Sequence, residues 1–100
     1  MDAINLKEAG NPPYKSECEG KMHGCGHDGH VTTVLGAAKL LSESRDFNGT
    51  AIFLFQPAEE PGKGAHAMLN DGLLEKFQID EIYGQHNNPG MRAGTVNICK

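Results

Sequence analysis

One thiol, two well-spaced imidazoles and two adjacent carboxylates stand in three short clusters: Cys25-Gly26-His27-Asp28, Pro57-Ala58-Glu59-Glu60 and His86. Divalent metal ions take Cys sulfur, His nitrogen and carboxylate oxygen. A hydrolytic centre also needs a carboxylate that leaves the metal alone and takes a proton from the attacking water. Glu59 and Glu60 are adjacent, so one can bind while the other faces the water. Cys25-x-His27 alone is a weak signal, because Cys and His also meet in ordinary packed loops. The Glu pair alone reads as a solvated turn, and His86 alone as a polar loop histidine. The three together are harder to assign to chance.

Other residues near these clusters carry weaker readings. His23 and His30 flank the Cys-x-His unit and are near it in sequence, while His66 reads as an ordinary helix histidine. Asp28 suits either a helix N-cap or a hydrogen-bond acceptor for a ligating imidazole. Gly24 and Gly26 on either side of Cys25 suggest tight backbone there. Gly62-Lys63-Gly64 has neither dinucleotide-binding nor P-loop spacing, and no Gly-x-Ser-x-Gly elbow is present. A thiol nucleophile at Cys25 with His86 as its base is an alternative, but it leaves the Glu pair without a task.

The elements that must carry these residues follow from the hydrophobic pattern. Residues 1–24 are rich in turn formers. A helix should begin near Asp28, because Val31, Val34, Leu35, Ala38 and Leu41 share one helical face. Residues 51–55 are an unbroken apolar run, the pattern of a strand buried on both faces. Residues 65–74 read as a second helix, 81–84 as a second strand and 94–98 as a third. This alternation predicts an α/β fold with a mostly parallel sheet and right-handed crossovers. The Glu pair then lies just past one strand, His86 just past another, and Cys25 and His27 just before a helix. Sites in open α/β sheets form outside the carboxyl ends of strands, so the clusters can converge on one edge.

Composition limits the alternatives. With 100 residues and no internal repeat or linker, the chain is one domain or part of one. A net charge of −4 argues against nucleic-acid and anionic-membrane surfaces. No apolar run approaches the roughly 20 residues of a membrane span. The start Met1-Asp2-Ala3-Ile4 lacks the basic and apolar regions of a secretory leader. Cys18, Cys25 and Cys99 are an odd number and suit a reducing, cytoplasmic setting; Cys18 and Cys99 read as ordinary thiols.

Met22-His23-Gly24-Cys25-Gly26-His27-Asp28-Gly29-His30, Phe55-Gln56-Pro57-Ala58-Glu59-Glu60 and Gly84-Gln85-His86-Asn87 together resemble the M20 metallopeptidase family. The resemblance is strongest to its amidohydrolase branch, that of hippurate hydrolases, N-acyl-amino-acid amidohydrolases and auxin-conjugate hydrolases. It runs through the whole chain. It implies that Cys25, His27, Glu60 and His86 are ligands of a two-metal centre, with the Cys25 thiolate bridging the ions. It implies Glu59 as general base and Asp2 as the acid that orients a metal-binding histidine. The implied reaction is hydrolysis of the amide bond of a small N-acyl amino acid, with zinc, manganese, cobalt or nickel all suited to the ligands.

The same resemblance implies that residues 1–100 are a partial zinc-peptidase-like catalytic domain. Family members begin before the Asp-x-Asp-Ala motif that Asp2-Ala3 ends, and they continue into an inserted lid that often makes a homodimer. A final metal-binding histidine from the later segment has no counterpart here. A truncated, non-catalytic metal-binding module is the competing reading, and a fragment without a stable fold of its own is a third.

Overall fold

The computed structural model describes residues 1–98 and contains three helices: α1 (His27–Ser44), α2 (Gly64–Asn70) and α3 (Leu73–Lys76). Cys99 lies outside the described residues. α1 starts where the apolar periodicity places it. Its less exposed stripe runs His27, His30, Val31, Val34 and Ala38, so two histidines open the same face that the apolar residues continue. Leu35 and Leu41, expected on that face, are 54% and 37% exposed. The N-cap is Gly26, in the left-handed region at φ 79°, and no side chain caps the helix. Asp28 is therefore not the N-cap. It sits inside the first turn, where its charge complements the helix dipole.

The second predicted helix, 65–74, is broken in two. Asn70-Asp71-Gly72 ends α2, with the Asp71 and Gly72 N–H groups donating to the carbonyls of Ala67 and Leu69. Gly72 takes φ 84°, which stops the helix before α3 begins. The glycine is visible in the sequence as a stop signal, but the apolar periodicity on both sides of it outweighs the punctuation.

The three predicted strands do not form as paired strands. Among the described residues the β pairing is one antiparallel bridge, Ile4 with Met22, whose N–H and C=O groups exchange bonds of 2.9 and 3.1 Å. Among the same residues, segments 51–55 and 81–84 make no backbone hydrogen bonds to other segments, and Thr95 N–H closes a turn onto the Arg92 carbonyl. The physical reason is that a strand exists only through its neighbour. An apolar run can favour extended backbone, but a ladder needs a second segment alongside it.

Packing is correspondingly open. No hydrophobic side chain among the described residues is fully buried, and Phe55, Leu69 and Phe77 are each close to half exposed. The radius of gyration is 16.2 Å, against roughly 13 Å for a compact chain of this length. α2 packs on α3, whereas α1 packs on neither. Among the described residues no helix is long and apolar enough to cross a membrane.

A close backbone approach fixes the turn that carries the Glu pair. Gly64, the first residue of α2, is buried, and a Cβ there would collide with the Pro57 carbonyl and crowd the Gln56 side chain. The Gly64 and Lys63 N–H groups both donate to the Ala58 carbonyl, at 3.0 and 3.2 Å. Gly64 thus clamps the start of α2 onto that turn. Gly36, in mid-α1, has open space around its Cα. In the natural protein, Gly64→Ala should lower the melting temperature. Gly36→Ala should raise stability by about 0.5–1 kcal/mol, the usual helix-interior preference for Ala. Thermal melts of the two variants check both signs.

Candidate metal centre

Asp2 organises the site. Its Oδ1 accepts the Nδ1–H of His27 at 3.1 Å, and its Oδ2 accepts the backbone N–H of Glu60 at 3.0 Å. The Ile4–Met22 bridge holds the N-terminal segment beside the loop leading to Cys25, which brings Asp2 to these partners. The Glu60 N–H is the largest influence holding the Asp2 carboxyl below its ordinary range, with His27 adding to it against partial burial. Asp28, the other candidate for orienting an imidazole, accepts no histidine; its carbonyl takes the Thr32 hydroxyl.

This arrangement fixes the His27 tautomer. With the proton on Nδ1, the lone pair of Nε2 points away from Asp2. It faces Glu59 Oε2 at 3.5 Å and Glu60 Oε1 at 3.6 Å. His27 is also the one buried polar side chain among the described residues, 7% exposed. His86 is set the same way. Its Nδ1–H donates to the Asn87 carbonyl at 2.7 Å, so Nε2 carries the lone pair and stands 3.6 Å from Cys25 Sγ.

The residues read from the sequence therefore meet. Donor atoms of Cys25, His27 and His86 lie within 4.8 Å of one another, as do those of His27, Glu59 and Glu60. His23 joins neither group. His66 is exposed on α2 and also stays outside. The convergence uses loops and a helix start, not the ends of paired strands.

The donor set fits a divalent cation. The imidazole nitrogens of His27 and His86, the Glu59 and Glu60 carboxylates and the Cys25 sulfur are the donor types such ions take. Two ligands about 2.0–2.3 Å from one tetrahedral ion stand roughly 3.4–3.6 Å apart. The 3.5 and 3.6 Å separations across His27, and the 3.6 Å between Cys25 and His86, match that spacing. The two His27–carboxylate separations are too long for ordinary N–H···O hydrogen bonds, while the Cys25–His86 contact lies within the longer reach of a sulfur hydrogen bond.

Cys25 is not poised as a free nucleophile. The Glu60 carboxylate, accepting from the thiol, raises its pKa most; desolvation and the charges of Glu60, Glu59 and Asp2 push the same way. A reactive thiol needs the opposite, an electropositive setting. The thiol-nucleophile reading is thereby disfavoured, and the same carboxylates suit a cation.

The turn bearing the Glu pair is strained. Ala58 is a non-glycine residue at φ 47°, a conformation that costs about 1–2 kcal/mol. Its carbonyl is held by Lys63 and Gly64, and the Glu59 carbonyl accepts the Gly62 N–H at 2.7 Å. The Glu60 N–H is thus left free for Asp2. Two participants carried no role in the sequence reading: Asn87, whose only signal was its place next to His86, and the Glu60 backbone N–H, which no pattern of side chains reveals.

Asp2→Asn removes the carboxylate that both His27 and Glu60 address. Zinc affinity of the natural protein should fall by about 10- to 100-fold, measured by competition with a chromophoric chelator. The lowered Asp2 pKa gives the sign for acid. The bonds to His27 and Glu60 hold above the ordinary carboxylate range and are lost as pH falls through the lower folded value. The His27 ring signals in an NMR titration should report that release.

Residues 1–100 match the family described as Peptidase family M20/M25/M40. The chain is 56% identical over 89 residues to a hippurate hydrolase of Campylobacter jejuni, covering 89% of this chain and 23% of that protein. It is 46% identical over 99 residues to an N-acetyl-L-cysteine deacetylase of Bacillus subtilis, covering 98% and 23%. It is 44% identical over 98 residues to the IAA-amino acid hydrolase ILR1-like 4 of Arabidopsis thaliana, covering 97% and 22%. The chain thus spans about a quarter of the length of these relatives. With its whole length matched, the chain belongs to the M20/M25/M40 peptidase family, on the amidohydrolase side of it.

Proposed function

We propose that residues 1–100 are part of the catalytic domain of a metal-dependent amidohydrolase that cleaves the amide bond of small N-acyl amino acids. The observation that carries this reading is the gathering of donor atoms within 4.8 Å of one another in two groups that share His27: Cys25, His27 and His86, and His27, Glu59 and Glu60. The three relatives are each a hydrolase or a deacetylase, and two are named for an amino acid. The half-exposed apolar side chains and the unpaired strand segments support a larger α/β domain, with a parallel sheet, that this chain completes only in part. The free thiols of Cys18 and Cys25 suit a cytoplasmic setting.

In this reading Cys25, His27, Glu60 and His86 hold two divalent ions, zinc or manganese first, with cobalt and nickel also suited to the donors. The Cys25 thiolate would be the ligand shared between the ions, as the family resemblance implies. Bound divalent ions acidify a water and polarise an amide carbonyl.

The chain's own residues do the rest. Asp2 holds His27 with Nε2 turned toward Glu59 and Glu60. The Glu59 carboxylate lies 3.5 Å from His27 Nε2, and its side chain is 56% exposed, so water reaches it. As general base it takes one proton from the attacking water. It then delivers that proton to the nitrogen of the departing amino acid as the C–N bond breaks. Proton and charge balance without another group.

In the natural protein, Glu59→Gln should bind zinc as the wild type does while turnover of N-acyl amino acids falls by about 10²- to 10⁴-fold. Steady-state kinetics alongside metal analysis separates the two effects. Unchanged turnover would contradict the role given to Glu59.

A further inference from the structure

One histidine of the site has no task in the metal reading. His30 lies one turn beyond His27 on α1. Its ring centroid is 4.4 Å from that of His86 and 5.5 Å from that of His27. Despite this closeness it belongs to neither donor group. The hydrogen bonds show why. The backbone N–H of Asn87 donates to His30 Nε2 at 2.9 Å, so the lone pair a metal would need is already engaged.

The proton positions follow. A backbone N–H can only donate, so His30 Nε2 is unprotonated and its proton sits on Nδ1. The Asn87 side-chain oxygen is placed 2.6 Å from the same nitrogen. Because the backbone N–H makes Nε2 an acceptor, we assign the amide with its Oδ1 and Nδ2 exchanged, so that NH2 faces the ring. On its other side Asn87 presents its carbonyl to the Nδ1–H of His86 at 2.7 Å. One residue is therefore gripped by two imidazoles, through its N–H by His30 and through its C=O by His86.

Much rests on this grip. Among the described residues, the hydrogen bonds tying residues 78–98 to the rest of the molecule are those of Asn87 to His30 and the 3.6 Å Cys25–His86 contact. The remaining bonds of that stretch are local, such as Met91 N–H to the Asn88 carbonyl. In addition, a Cβ at Gly26 would collide with the Asn87 side-chain amide. Gly26, between Cys25 and His27, is thus both a left-handed helix start and the seat of Asn87.

We propose that His30 is a positioning residue. By accepting the Asn87 N–H it holds the His86-bearing segment against the start of α1. The Asn87 carbonyl is thereby placed to set the His86 tautomer, and His86 Nε2 is turned toward Cys25. The inference rests on the metal-centre reading and adds to it a residue that touches neither ion nor substrate. It also explains why two imidazoles as close as His30 and His86 have different tasks: one nitrogen is spent on the backbone, the other is kept free.

The test uses the natural protein and zinc alone, measured by competition with a chromophoric chelator. His30→Phe keeps a ring but removes the acceptor, and should weaken zinc binding by about 10- to 100-fold. His30→Gln places an oxygen the same number of bonds from Cα and should stay within about threefold of wild type. Cobalt(II) substitution adds a readout that general destabilisation would not move: the visible spectrum should change in His30→Phe and not in His30→Gln, because only the former loses the His86 ligand. In the unaltered protein, nitrogen-15 NMR of the imidazoles should find His30 protonated on Nδ1; this decides the matter even if the Phe variant does not fold. A wild type that binds no zinc would defeat the metal reading itself. A wild type that binds zinc, with His30→Phe equal to it or His30 protonated on Nε2, would overturn this inference alone.

Discussion

The site depends on a single carboxylate addressed from two directions. Asp2 takes the Nδ1–H of His27 with one oxygen and the Glu60 N–H with the other. The first bond decides which nitrogen of the buried imidazole is left unprotonated. The second places the Glu pair on the side that nitrogen faces. Three segments distant in sequence are registered by two hydrogen bonds, and the donor atoms follow from that registration.

The site is held together with little apolar support. α1 packs on neither other helix, and no hydrophobic side chain is fully buried among the described residues. The segments meet through polar contacts at the centre: Asp2 with His27 and Glu60, Cys25 with His86, and His30 with Asn87. A divalent ion held by these groups would draw the segments together, which would couple metal binding to local order. The strained Ala58 and the Gly64 approach serve the same end, because both fix the turn that delivers Glu59 and Glu60.

Much of the candidate site was legible in the sequence. The chemistry lay in residue types: Cys25, His27, Glu59, Glu60 and His86 are the groups that bind ions or move protons. α1 was legible because Val31, Val34 and Ala38 recur at helical spacing. The strands at 51–55, 81–84 and 94–98 did not form because apolar runs report burial tendency, whereas a ladder depends on a partner segment. The break at Gly72 was lost under apolar residues on both sides. The second bond of Asp2 and the role of Asn87 were hidden for one common reason: each involves a backbone N–H, which every residue but proline carries and no motif distinguishes.

Anomalous diffraction from crystals of the natural protein grown with zinc is the sharpest test that Cys25, His27, Glu60 and His86 enclose divalent metal. Two peaks are predicted, within bonding distance of the Cys25 sulfur, the Nε2 atoms of His27 and His86 and a Glu60 oxygen, with Cys25 between them. Peaks located elsewhere, or none at these four side chains, would contradict the metal centre.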